Sequence, residues 1–130
     1  MSEEALKIIS DVMESLGLLY GFMEYKVGKD EEAPEIYFVG EYQELEPVSE
    51  DGLQESTFIL TGFSRSTRKA LEEAKAKIKK KFHPIDGLIV TTPSGNVVAI
   101  FYSNGLGIPT GDAELKRIQI NLDVKEWSVN

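Results

Sequence analysis

The stretch Arg117–Lys125, RIQINLDVK, decides the fold. Its apolar residues occupy every second position, and polar residues fill the positions between them: Ile118, Ile120, Leu122 and Val124 alternate with Arg117, Gln119, Asn121, Asp123 and Lys125. A period of two is the pattern of a β-strand that buries one face and exposes the other. Other elements of the chain must therefore cover the apolar side of this strand.

Five further strands are predicted upstream, because short runs of apolar and β-branched residues are bounded by turn residues. They are LLYGFMEY (18–25), EIYFVGEYQ (35–43), ESTFILTGF (55–63), GLIVT (87–91) and NVVAIFY (96–102). The last two are apolar enough to be central strands. Lone glycines in strands mark a bulge or a close approach of another group, and this expectation applies to Gly40 and Gly62.

Two helices are predicted from apolar residues at helical spacing. Residues 2–16 can be capped by Ser2 and stopped by Gly17. The second helix, capped by Ser64 or Ser66, runs to about Lys81 and buries a stripe made of Ala70, Leu71, Ala74, Ile78 and Phe82. The order α-βββ-α-βββ predicts one α+β domain over residues 1–130, with one mostly antiparallel sheet of about six strands and two helices.

Charge is distributed unevenly along the chain. The whole sequence carries −8, yet residues 65–81 hold eight bases and two acids, a net +6. The rest holds six bases and twenty acids, a net −14. Such a split concerns association rather than folding.

An acidic stretch joins the second and third predicted strands. Six of the fifteen residues from Glu41 to Glu55 are acids, and none is basic. The stretch lacks the spacing of a calcium-binding hand. The stretch could supply catalytic carboxylates, a metal loop, a protein-contact surface or a channel-facing rim, and the first two have little support. Its candidate interface residues are Glu44, Glu46, Glu50, Asp51 and Glu55.

The basic segment admits three readings: an ordinary solvated helix face, a local phosphate contact, or a protein interface. The basic segment contains no aromatic residue before Phe82, and the acidic remainder of the chain would repel a long polyanion. Sequence-specific nucleic-acid binding is therefore not expected. A basic helix and an acidic hairpin can contact each other between copies, head to tail. The candidate interface residues are Arg65, Arg68, Lys69, Lys75, Lys77, Lys79 and Lys80.

Chemistry of other kinds has little support. The chain has no cysteine and one histidine, His83, which excludes thiolate chemistry and multi-histidine metal sites. No catalytic, cofactor or metal residue is predicted. A glycine-rich stretch at 103–113 is expected to be a flexible loop containing Gly105, Gly107 and Gly111, which orders on contact. The start lacks an export pattern and no apolar run reaches about 20 residues, so a cytoplasmic protein without a membrane partner is expected.

Three stretches taken together resemble a known class of proteins. They are YFVGEYQELEPVSEDGLQESTFILTGFSR, LEEAKAKIKKKF and PTGDAELKRIQINLDVKEW. They resemble small tail proteins of phages and prophages of Gram-positive bacteria, of the tail-completion, tail-terminator and head–tail joining type. The resemblance covers nearly the whole chain but carries no catalytic motif.

The resemblance implies a compact α+β domain, no enzymatic activity, no cofactor and assembly into a ring, commonly a hexamer. Its implied partners are further copies of the chain and other tail or head-completion proteins. Its implied locations are the bacterial cytoplasm during assembly and then the virion tail. The main alternative is a cytoplasmic monomeric or dimeric module that binds a small basic partner, and a remote one is an enzyme using hairpin carboxylates.

Overall fold

The fold contains two helices and six strands in the predicted order α-βββ-α-βββ. The computed structural model describes residues 1–29, 31–32, 34–45 and 52–128. The elements are α1 (Glu3–Ser15), β1 (Tyr20–Phe22), β2 (Ile36–Glu44), β3 (Leu53–Ser64), α2 (Arg68–Lys81), β4 (Leu88–Thr91), β5 (Val97–Ile108) and β6 (Lys116–Trp127). The predicted α+β class is confirmed.

All six strands form one sheet in the order β1-β2-β3-β6-β5-β4. β1 pairs with β2 in parallel, and the other four neighbouring pairs are antiparallel, so the sheet is mixed. The strand with the alternating pattern, β6, lies inside the sheet between β3 and β5. The prediction of a central position is wrong for β4, which forms an edge and leaves Ile89 63% exposed.

Local capping sets the helix boundaries. The side chain of Ser2 accepts the Ala5 N–H at 3.1 Å, and Gly17 adopts φ +72°, as predicted for the two ends of α1. The predicted caps of α2 are wrong. Thr67 caps this helix by accepting the Ala70 N–H at 3.2 Å, because Ser64 is still the last, buried residue of β3.

The core lies between one face of the sheet and both helices. Its largest fully buried side chains come from both layers: Ile9, Met13, Leu71, Ile78 and Phe82 from the helical side, and Phe38, Phe58, Leu60, Ile100, Ile118, Ile120 and Leu122 from the strands. In the described part of the chain no helix packs on the opposite face of the sheet. We call that opposite side the open face.

Gly40 and Gly62 are sites of close approach, one of the two roles predicted for them. A Cβ atom added to Gly40 would lie 2.5 Å from the ring of Phe58, and one added to Gly62 would lie 2.5 Å from the ring of Phe38. Phe38 and Gly62 are direct partners in the β2–β3 ladder, whose register shows no shift. The absent side chains of the two glycines therefore create the space that the two rings occupy.

We expect Gly62→Ala to lower the free energy of unfolding by about 1–3 kcal/mol, the usual cost of overpacking a core. The nearest atoms are in the Phe38 ring, so Phe38→Leu should remove most of this added cost. A double-mutant cycle measured by urea unfolding should give a favourable coupling of about 1 kcal/mol or more. Thr61→Ala, one residue away on the open face, is the control. Strict additivity of the two substitutions would contradict this packing.

Candidate functional site

The basic surface is built on α2 and the residues that lead into it. We use this name for Arg65, Arg68, Lys69, Lys75, Lys77, Lys79 and Lys80. Leu71, Ala74 and Ile78 recur at helical spacing and are buried against the sheet, so the lysines between them point elsewhere. Six of the seven cationic residues are exposed and Lys75 is partly buried. The sequence thus produces a helix with one apolar stripe and a broad positive surface.

The ion pairs of this helix with carboxylates are internal in the part of the chain that the structure describes. Lys75 Nζ lies 2.6 Å from Glu72 Oε2, and Lys69 Nζ lies 3.9 Å from Glu73 Oε1. Pairs of this exposed, one-turn kind contribute little, typically about 0.3–0.5 kcal/mol. Lys79 Nζ lies 5.4 Å from the centre of the Tyr102 ring, a cation–π contact. Most of the positive charge is thus left facing solvent.

The acidic hairpin, residues 41–55, is described only in part. Glu44 closes β2, is exposed and contacts the amino group of Met1. Glu55 lies in β3 with one carboxylate oxygen 3.9 Å from Lys125 Nζ of the paired strand. The predicted contacts of Glu46, Glu50 and Asp51 lie outside the described residues.

Helix α2 begins at the end of the sheet that is opposite the acidic hairpin. Glu44 pairs with Ser56 near the beginning of β3, whereas α2 begins four residues after Ser64 at the end of β3. From there α2 runs back along the sheet, because Arg68 lies over Gly107 whereas Lys79 lies over Tyr102, which is level with Phe58 and Tyr42. Among the described residues, no ion pair joins α2 to the hairpin. The two described acids of the predicted interface, Glu44 and Glu55, are therefore not paired with the basic surface within one copy.

Helix α1 adds an acidic surface that the sequence analysis did not assign. It carries Glu3, Glu4, Asp11 and Glu14 against a single base, Lys7. The hydroxyl of Ser94 donates to Glu4 at 2.5 Å and holds the pKa of that carboxyl below its ordinary value. A hydrogen bond of 2.7 Å to Asp11 raises the pKa of Lys7. The imbalance was visible in the composition of residues 2–16, but its position beside α2 in the helical layer was not.

The glycine-rich stretch differs from the prediction. Gly105 and Gly107 belong to β5, whose pairing with β6 extends to Ile108 and Arg117, so the predicted loop is wrong over its first half. Only Gly111, with φ +77°, lies in the connecting turn. The turn borders a hollow of about 430 Å³ that Arg68 and Lys116 also line.

Among the described residues, no three side chains of His, Cys, Asp and Glu come together in a group able to hold a metal ion. No described helix is both long enough and apolar enough to cross a lipid bilayer. His83 Nδ1 accepts the backbone N–H groups of Ile85 and Asp86 at 3.1 and 3.2 Å, which closes the turn after α2.

Neither a protein-family model nor a curated protein matches this chain.

Proposed function

We propose that this chain is a structural protein of a phage tail, acting as a tail-terminator, tail-completion or head–tail joining protein. In this role it assembles into a ring through contacts between copies and binds neighbouring tail or head-completion proteins. Its chemistry is that of protein association, and it works without a cofactor.

The observation that carries the proposal is that two surfaces of opposite charge are not paired with each other in the described part of one copy. Among the described residues, the carboxylate partners of the α2 lysines lie within α2 itself, and Glu44 and Glu55 pair with groups outside the basic surface. Complementary surfaces that are not paired with each other in one copy can meet between two copies, head to tail. Such a contact closes into a ring when the rotation between copies allows it.

Electrostatic complementarity gives orientation and speed of association more than affinity. This suits an assembly protein, because the correct neighbour must be selected before a large interface is buried. The open face of the sheet and the sheet edges supply further area for contacts. The acidic hairpin serves either as one of these contacts or as a rim facing the channel, where negative charge keeps DNA from sticking.

The test is electron microscopy of phage particles produced with and without this chain. Without it, we expect tails of abnormal length or tails that fail to join heads. Supplying the wild-type chain in trans should restore normal particles. Supplying a variant with Glu44→Gln, Glu46→Gln, Glu50→Gln and Asp51→Asn should not, although circular dichroism should show that the variant folds.

Two results would contradict the proposal. Normal particles in the absence of the chain would exclude a structural role in the tail. Full rescue by the quadruple variant would exclude the acidic hairpin as the surface that matters.

A further inference from the structure

In the described part of the chain, two stretches of sheet edge have backbone groups that no neighbouring strand covers. β1 forms one edge with only three residues. At the other edge, β4 covers β5 only from Val97 to Ile100, and the Tyr102 N–H donates to Phe82 O at 2.8 Å. Beyond that point, within the described residues, no strand pairs with the outer side of β5 over residues 103–108. Uncovered edges of this kind are templates for pairing with another chain.

The two free edges lie at the same height in the sheet. Following the paired residues from strand to strand gives rungs that cross the whole sheet. One rung comprises Tyr20, Phe38, Gly62, Ile118 and Gly107. Another comprises Phe22, Gly40, Leu60, Ile120 and Gly105. β1 and the free stretch of β5 are therefore level, without an offset along the strand direction.

The outward-facing backbone groups of the two edges also match. The Phe38 N–H donates to Leu19 O at 2.8 Å. The backbone N–H and C=O of Phe38 therefore face β1, and the backbone N–H and C=O of Tyr20 face outward. In an antiparallel pair of strands, the backbone N–H and C=O groups of two opposed residues either point toward each other or both point away. Carrying this rule along the rung from Phe38 to β5 places the groups of Gly107 outward, and the same reasoning applies to Phe22 and Gly105.

We propose that β1 of one copy adds to the free stretch of β5 of the next copy as an antiparallel strand. In this arrangement Tyr20 lies opposite Gly107, and Phe22 lies opposite Gly105. The directions agree, because β1 runs parallel to β2 whereas β5 runs antiparallel to it. The inference rests on the proposed self-assembly and identifies the strands that carry it.

The side chains leave room for this pairing. Each of the three opposed pairs contains a glycine, since Gly21 lies opposite Leu106. The ring of Phe22 stacks inward on Tyr42 and Phe58, with centroid distances of 6.0 and 6.4 Å. An approaching strand therefore meets no bulky side chain from the opposed glycines themselves, although Arg68 and Lys75 lie over Gly107 and Gly105.

Charge complements the same contact. Arg68 and Lys75 of α2 lie over Gly107 and Gly105, and Lys79 lies over Tyr102. Along β1 the flanking helix is α1, whose acids Glu3 and Glu14 border hollows shared with Tyr20, and Lys7, which pairs with Asp11, lines the first of these hollows. Lateral continuation of the sheet keeps all helices on one face. The acids of α1 in one copy would then approach the cations of α2 in the next.

A disulfide test can be made directly because the chain has no cysteine. On the adjoining rung, Leu19 lies opposite Ile108, and the backbone groups of both face inward. Opposed residues of this non-hydrogen-bonded type have Cα atoms about 4.5 Å apart, within the range that a disulfide bridges. A mixture of Leu19→Cys and Ile108→Cys chains should form a covalent dimer under mild oxidation. The control mixture pairs Leu19→Cys with Ile89→Cys, on the exposed β4 edge.

We expect the Leu19–Ile108 mixture to give at least tenfold more dimer than the control. Equal yields, or a higher yield in the control, would overturn the proposed pairing. An oligomer detected by native mass spectrometry without the Leu19–Ile108 cross-link would overturn the pairing and leave the proposed function standing. If the Leu19–Ile108 cross-link forms but phage particles made without the chain are normal, the pairing is supported and the tail function is refuted.

Amide hydrogen exchange of the wild-type protein gives a second readout that needs no substitution. The outward N–H groups of Gly105 and Gly107 should exchange more slowly at concentrations where oligomers form, whereas the Leu106 N–H, which faces β6, should change little. Unchanged exchange at both glycines in an oligomeric sample would overturn the proposal.

Discussion

Phe58→Ala should lower the free energy of unfolding by about 3–5 kcal/mol, the usual cost of truncating a buried aromatic side chain. Phe58 is fully buried in the middle of β3, and its ring occupies the space above Gly40. Because Gly40 has no side chain that could move into a cavity, the space left by the ring should remain largely empty. The loss should thus fall toward the upper part of the range.

Urea unfolding followed by circular dichroism measures this loss through the shift of the midpoint at constant slope. The control is Ile85→Ala, which also truncates a large apolar side chain but at a position that is 81% exposed. That substitution should change stability by no more than about 0.5 kcal/mol. If Phe58→Ala cost as little as the control, the packing of Phe58 over Gly40 would be refuted.

Neutralising Lys75, Lys77, Lys79 and Lys80 with glutamine should weaken self-association at least about tenfold. Four charge contacts at the middle of the range of about 0.2–1 kcal/mol sum to about 2.4 kcal/mol, more than the 1.4 kcal/mol that corresponds to a factor of ten in affinity. The fold should be preserved, because three of these side chains are exposed and Lys75 pairs only with its neighbour Glu72. Native mass spectrometry over a concentration series measures the change.

Two controls separate this interface from general charge effects. Replacing the same four lysines by arginine keeps the charge and should keep the oligomer. One double variant carries Lys77→Gln and Lys80→Gln, and the other carries Lys26→Gln and Lys29→Gln. Both change the net charge equally, and only the first should weaken association. Raising the salt concentration should weaken wild-type association as well. An oligomer that the four glutamines leave unchanged would count against the basic surface as an interface.

Most of the fold followed from local patterns. The alternation in β6, the helical spacing in α1 and the apolar stripe of α2 each fix a secondary structure through a single periodicity. β5 was predicted too short, because SNGLGI has weak strand propensity and is held in the sheet by pairing with β6. β4 was misplaced because its apolar side chains do not reveal that one side of the strand lacks a partner.

The residues of the candidate site were predictable only where charges of one sign are clustered in the sequence. The bases of α2 and the acids of the hairpin stand out in the linear sequence, since each forms a run. That Gly107 shares a rung with Tyr20 depends on four successive strand pairings, and no local pattern reports those. The acidic character of α1 had a signal in its composition, yet its relevance depends on the neighbouring strand, β1.

The open face of the sheet has a consequence for the history of the protein. Stability depends mainly on side chains packed between the helices and the other face, so substitutions of polar residues on the open face, away from the stacked rings of Tyr37 and Phe63, should cost little, commonly within about 0.5 kcal/mol. Positions such as Thr57, Thr61, Gln119 and Asn121 can thus diverge quickly without loss of the fold. Relatives could then adapt this face to different neighbours while Gly40, Gly62 and the two rings they accommodate remain fixed.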